Sequence, residues 1–232
     1  MSGLLAHAFY CDWRCDLAVN GDQLRRALDL EDQVGRLGAS QLEPASGVAG
    51  LYLLATGQLD EAREILTTTL ARAEAEGLEY VRSDVLLRLS LIATRTGDPG
   101  RGAELATAGA DIAEQLGLSQ LISALLYGLG FAALHLGNRP AAEQACGRGG
   151  DLSRAIGDRV YLRAHQAVLG ALALAEGDHA AAAAQLSPLI AGLDELGRWL
   201  ESYWAPEIVE GPDRLWPDRA GRGAAAPGQG QP

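Results

Sequence analysis

The sequence predicts an all-α solenoid of about five antiparallel helix hairpins with a 40-residue period. Three observations carry that prediction. Glycines closing apolar runs stand at Gly57, Gly97, Gly137 and Gly177, 40 residues apart. A second ladder, Gly77, Gly117, Gly157 and Gly197, has the same spacing and falls midway. Between the rungs, apolar residues recur at helical intervals, and self-similarity at a fixed period of this size marks repeat architectures.

The elements follow in order. Gly21 and Gly38 read as an earlier, less regular copy of the two ladders. Each later segment of about 20 residues reads as one helix ending in glycine. In residues 118–137, Leu121, Ile122, Leu125, Leu126, Leu129, Ala132, Ala133 and Leu136 recur at intervals of three and four. Glycine supplies the left-handed residue that ends a helix at little cost. Asp98, Asn138 or Asp178 comes next and suits an N-cap, and Pro99 then fits the first helical position. A stop followed at once by a start forces an antiparallel pair.

Two columns of small residues run in register with the first ladder. Gly50, Ser90, Gly130 and Gly170 precede its glycines, and Ala62, Gly102, Ala142 and Ala182 follow them. A close crossing of the two helices of each hairpin accounts for both columns. Two places break the pattern. The glycines in residues 146–151, CGRGGD, fall in mid-helix, where each costs about 1 kcal/mol against alanine; a frayed or kinked helix held by its neighbours is expected. Without a preceding strand or a following Lys-Ser/Thr, a phosphate-cradling loop is a poor reading. Pro188 removes an amide donor near Ala184, and a kink is expected there.

Composition narrows the function. The net charge of −11 and the lack of a basic stripe argue against duplex DNA binding. No apolar run approaches a membrane span, and the N-terminus lacks a basic signal-peptide region. Cys11, Cys15 and Cys146 have no framework spacing, which suits a reducing cytoplasm. Cys11 and Cys15 with His7 make three ligand candidates where zinc sites usually need four, so no metal is expected. His135, His165 and His179 are scattered without a nucleophile placed beside them, so no catalytic residue and no cofactor site is assigned. The paired acids Asp60 and Glu61 fall in a first helical turn, where they favour the helix dipole.

The pattern small–x6–Gly–x4–Ala resembles the tetratricopeptide repeat in a lengthened form. The usual repeat has 34 residues, and 40 lies nearer the HEAT range. The small pair bracketing the turn favours the tetratricopeptide reading, and the first helices lack a HEAT-like proline. Residues 172–197, LALAEGDHAAAAAQLSPLIAGLDELG, followed by an aromatic and proline stretch, resemble the C-terminal array of large ATP-dependent LuxR-type transcriptional regulators, the architectural class of the maltotriose-responsive activators. The resemblance covers residues 11–206. It implies a right-handed superhelix over residues 1–205; where the family runs on into a helix, Gly211-Pro212 interrupts, and the composition reads as a Pro/Gly-rich tail over 206–232 whose end is disordered. Those regulators carry a nucleotide-binding domain and a helix-turn-helix. Neither a GxxxxGK[ST] loop nor a basic recognition helix is found here, so a truncated, split or free-standing array is expected.

The resemblance also implies a concave groove lined by the first helices. Its residues would be Arg88 and Arg95, then Tyr127, Phe131 and His135, then Arg163. Two accounts of them stay open. They could form part of a pocket for a protein or peptide segment, or a small anionic effector, gripped by arginine. Alternatively the aromatics pack between repeats and the arginines pair with local acids such as Asp84. The aromatic patch of Trp199, Tyr203, Trp204 and Trp216 has two accounts as well: a cap on the last repeat, or a docking surface for another domain. The expected function is a non-catalytic, cytoplasmic interaction or effector-sensing module of a LuxR-type regulator. It would need no cofactor, membrane or direct nucleic-acid contact. The alternatives are a complete DNA-binding regulator and a stand-alone adaptor.

Overall fold

The computed structural model describes residues 17–34 and 44–191. Among the described residues there are nine helices and no strand: α1 (Leu17–Val34), α2 (Ala45–Ala55), α3 (Leu59–Glu76), α4 (Glu79–Arg95), α5 (Pro99–Leu116), α6 (Ser119–His135), α7 (Arg139–Ile156), α8 (Arg159–Glu176) and α9 (His179–Ala191).

One turn is used throughout. Gly57, Gly77, Gly97, Gly117, Gly137, Gly157 and Gly177 all have positive φ, from 67° to 92°. The residue after each glycine donates its N–H to the carbonyl five residues back, as in Asp98 to Ala93 and Asn138 to Ala133, both at 2.9 Å. A β-carbon at any of these glycines would meet nothing within 4 Å. Glycine is therefore required for the sign of φ and not for space. After Gly97, Gly137, Gly157 and Gly177 the next helix starts on a side-chain cap. Asp98 accepts from the N–H of Arg101 at 3.0 Å, Asn138 from Ala141 at 3.3 Å, and Asp178 from Ala181 at 2.9 Å. Asp158 caps α8 by accepting from Val160 and Tyr161. Pro99 follows its cap at the first helical position.

The helices pair as α2–α3, α4–α5, α6–α7 and α8–α9, with α1 packed on α2. Four hairpins therefore stand among the described residues. Gly21 lies inside α1 and not at a helix end. Gly38, Gly197, Cys11, Cys15, His7, the residue 199–216 aromatics and the 206–232 tail lie outside the described residues. The first helices α2, α4, α6 and α8 also pack successively on one another. Consequently α4 is buried from Ser83 to Thr94, apart from the half-buried Asp84. The second helices bury a single stripe: Gly102, Ala106, Gly109, Ala110 and Ala113 on α5. Their other faces carry charges, and an Arg148–Glu114 ion pair of 2.6 Å ties α7 to α5. One apolar cluster runs from Leu51 to Leu172, and a satellite of Leu24, Ala27, Ala45, Val48 and Ala49 lies under α1.

The small residues at the crossings have specific partners. A β-carbon on Gly50 or Gly170 would run into Leu66 or Leu186, and one on Gly130 into the Cys146 sulfur. In the second hairpin the glycine is replaced by Ser90, and the residue at the Leu66 position is Ala106. The pairs Gly/Leu, Ser/Ala, Gly/Cys and Gly/Leu thus exchange volume across the crossing, which keeps the helices close-packed. The second column is also interior: Ala62 and Ala142 are fully buried, Ala182 nearly so, and Gly102 faces Thr94 and the Ser90 carbonyl.

The stretch from Cys146 to Asp151 is not frayed. The helix α7 runs unbroken from Arg139 to Ile156. Gly149 lies beneath the ring of His165, where any side chain would collide. Tertiary contact offsets the weak helix propensity of these glycines. Pro188 lies inside α9, which runs to Ala191.

Candidate functional site

The residues expected along a groove divide into two groups. Arg88 is 5% exposed, Tyr127 1% and Phe131 3%. These three are interior, so for them the open-wall account gives way to the other one, packing between repeats with Arg88 on Asp84. The physical reason is that each first helix is covered by the next one, so the face that would line a groove is consumed by packing. The Arg88 guanidinium donates to the Gly47 carbonyl of α2 at 2.6 Å and pairs with Asp84 at 2.8 Å. It is a buried charge with its partners in place, tying the first two hairpins together. Arg95, His135 and Arg163 are half-buried and reach the surface.

Tyr127, Phe131 and His135 are spaced four apart on α6, so their rings form a row along one face. Tyr127 stacks on Phe131, with centroids 5.9 Å apart and planes at 21°. Phe131 meets His135 edge-on at 4.6 Å. The His135 Nε2 atom is buried without a hydrogen-bond partner. Burial, and secondly the positive charge of Arg95, lower its pKa to about 4.

The row continues into a polar node. Tyr127 touches His165 of α8 edge-on at 6.3 Å. The Ser123 hydroxyl of α6 lies 3.1 Å from the Gly149 carbonyl, 2.7 Å from Ser153 Oγ and 3.1 Å from His165 Nε2. Ser123, Ser153 and His165 are all at or below 1% exposure. A carbonyl only accepts, so the Ser123–Gly149 bond is donated by Ser123; Ser153 lies within hydrogen-bond distance of the same oxygen, and the role of Nε2 follows the His165 tautomer. The buried Nδ1 atom of His165 has no hydrogen-bond partner. Burial lowers the His165 pKa to about 4, partly offset by a hydrogen bond to the Ser123 backbone.

Sequence reasoning misses this serine beside a histidine, because Ser123 and His165 are 42 residues apart. The signal lies in the repeat itself. Ser83 donates to the Gly109 carbonyl at 2.8 Å, 40 residues before the Ser123–Gly149 bond. The buried pair has no carboxylate on Nδ1 and no exposure to a substrate, so its chemistry is that of packing. Cys146 is likewise buried, and burial pushes its thiol up to about 12, far from a reactive thiolate.

Among the described residues, no group of three or more His, Cys, Asp or Glu side chains converges to hold a metal. No described helix is long and apolar enough to cross a membrane. Comparison of the chain with protein-family models, with curated proteins and with solved structures returned no match.

Proposed function

We propose that the chain is a non-catalytic, tetratricopeptide-like interaction or effector-sensing array of the kind found in LuxR-type transcriptional regulators, working in the cytoplasm. The observation that supports this reading is the layering of the hairpins. First helices pack successively on one another inside, and second helices present charged faces outside, in 40-residue register. Such an array is stabilised by neighbour contacts and can transmit a change in one junction along its length. The bound partner is a protein or peptide segment or a small effector. It works by favouring one curvature of the array over another. Arg95, His135 and Arg163 are the members of the expected site with surface to offer, and arginine there suits a carboxylate or phosphate.

Capture from an extract of the source cells tests this reading. A discrete partner retained by the native chain should be lost from Arg95→Glu with Arg163→Glu, while the helical circular dichroism spectrum stays unchanged. Retention by the double variant removes the site. Sequence-specific retardation of duplex DNA by the chain alone, at low salt, overturns the reading in favour of a DNA-binding regulator.

A further inference from the structure

The repeat supplies an internal control for His165. The residue at its place one repeat earlier is Leu125, and one repeat before that Val85. Leu125 lies over Gly109 as His165 lies over Gly149. The same seat, between a first helix, the second helix before it and the first helix before that, is apolar twice and then holds an imidazole. An imidazolium carries an N–H on both ring nitrogens, and at Nδ1 no acceptor stands. The titratable and charged groups nearby are Tyr127 on α6, the Arg154–Asp151 pair on α7 and Arg163 on α8. None of them brings a carboxylate within ion-pair distance of the ring. A buried imidazolium there keeps its hydrogen bond to the Ser123 backbone but has no carboxylate to pair with, and burial disfavours it.

We propose that His165 makes the junction between the α6–α7 and α8–α9 hairpins an acid-operated release. On gaining a proton the ring leaves the Ser123–Ser153–Gly149 node. Helices α8 and α9 then come away from α6 and α7, while the hairpins before them stay packed. The release is a property of the fold and does not depend on which partner the array binds.

Amide hydrogen exchange on the full chain, read by mass spectrometry at pH 7.5 and 5.0 and corrected for the intrinsic pH effect, tests it. With a value of about 4 folded and 6.5 released, opening of α8 and α9 should rise about thirty-fold between those conditions. Helices α4 and α5 should not change. His165→Leu, which restores the residue of the preceding repeat, should abolish the rise, and His135→Leu should leave it. The proposal is overturned if the rise is absent, is equal in all helices, or persists in His165→Leu. Should that variant lose its helical spectrum at pH 7.5, a proton NMR titration of the native chain decides. Titration of the His165 ring together with loss of α8 protection supports the release. An ordinary titration near 6.5 with α8 still protected rejects it.

Discussion

Leu125 over Gly109 and His165 over Gly149 occupy one place in successive repeats, and a serine bonded to the glycine carbonyl sits beside each. The backbone register is the same and the chemistry is not. The earlier seat is apolar at all pH values. The later one contains a group whose charge cannot be accommodated. The junction before both, between α2 and α4, holds a permanent charge, Arg88, with Asp84 and the Gly47 carbonyl as partners. Position 88 recurs as Gly128 and Val168, so this charge too appears in one repeat alone. A single hairpin geometry thus carries three kinds of joint: ionic, apolar and titratable. Geometry sets where a joint falls, and the side chains packed into it set what disturbs it.

The sharpest way to break that comparison is at the ionic joint. Arg88→Glu would place a second buried carboxylate beside Asp84 and strand the Gly47 carbonyl. A loss of about 3–5 kcal/mol is expected in urea unfolding. Arg88→Met, similar in length and apolar, should cost much less, and equal losses would show that charge is irrelevant there.

The titratable joint comes next. The folded pKa of His165 lies below its ordinary value of 6.5, so its neutral form is favoured on folding. Its contribution is therefore complete above pH 6.5 and is lost as pH falls from 6.5 toward 4. The loss amounts to about 3 kcal/mol at most. His135 is shifted in the same direction. Its Nε2 atom is buried too, so both rings contribute to the same slope. Urea midpoints of the native chain between pH 7.5 and 4.5 should fall, and His165→Leu should flatten about half of that slope. An unchanged slope would assign it to other groups.

Gly149→Ala tests the close approach itself. Its β-carbon would strike the rigid His165 ring, and overpacking of about 2 kcal/mol should exceed the gain in helix propensity. At Gly109 the nearest atom is the far end of the flexible Leu125 side chain, 2.6 Å away, with the Ser83 carbonyl and Leu86 Cβ at 3.2 Å, so the same substitution should also cost stability but less than at Gly149. The smallest effect has the opposite sign. A β-carbon added at Gly147 would meet nothing within 4 Å. Gly147→Ala should therefore stabilise by about 1 kcal/mol, read as a raised melting temperature.

The candidate site was legible only in part. Arg88, Tyr127 and Phe131 are on the first helices and share helical faces, as their spacing requires. Their burial could not be read, because it depends on which neighbour covers the face. The pairing of Arg88 with Asp84 is local, four residues along one helix, and can be foreseen. Its bond to Gly47 spans 41 residues and cannot. In residues 146–151 local propensity points to a frayed helix. The His165 ring, docked from another helix, explains why glycine is kept there.

By itself the sequence determined the turns and the register. A glycine with positive φ, the acid or amide cap after it and the proline that follows act within about six residues, so their physics is written locally. Only the tertiary structure decided what the interior means. Whether an arginine is a surface grip or a buried tie, and whether a histidine is idle or a joint, is set by atoms 26 to 42 residues away. Desolvation and missing partners are properties of those packed neighbours, and local sequence carries no record of them.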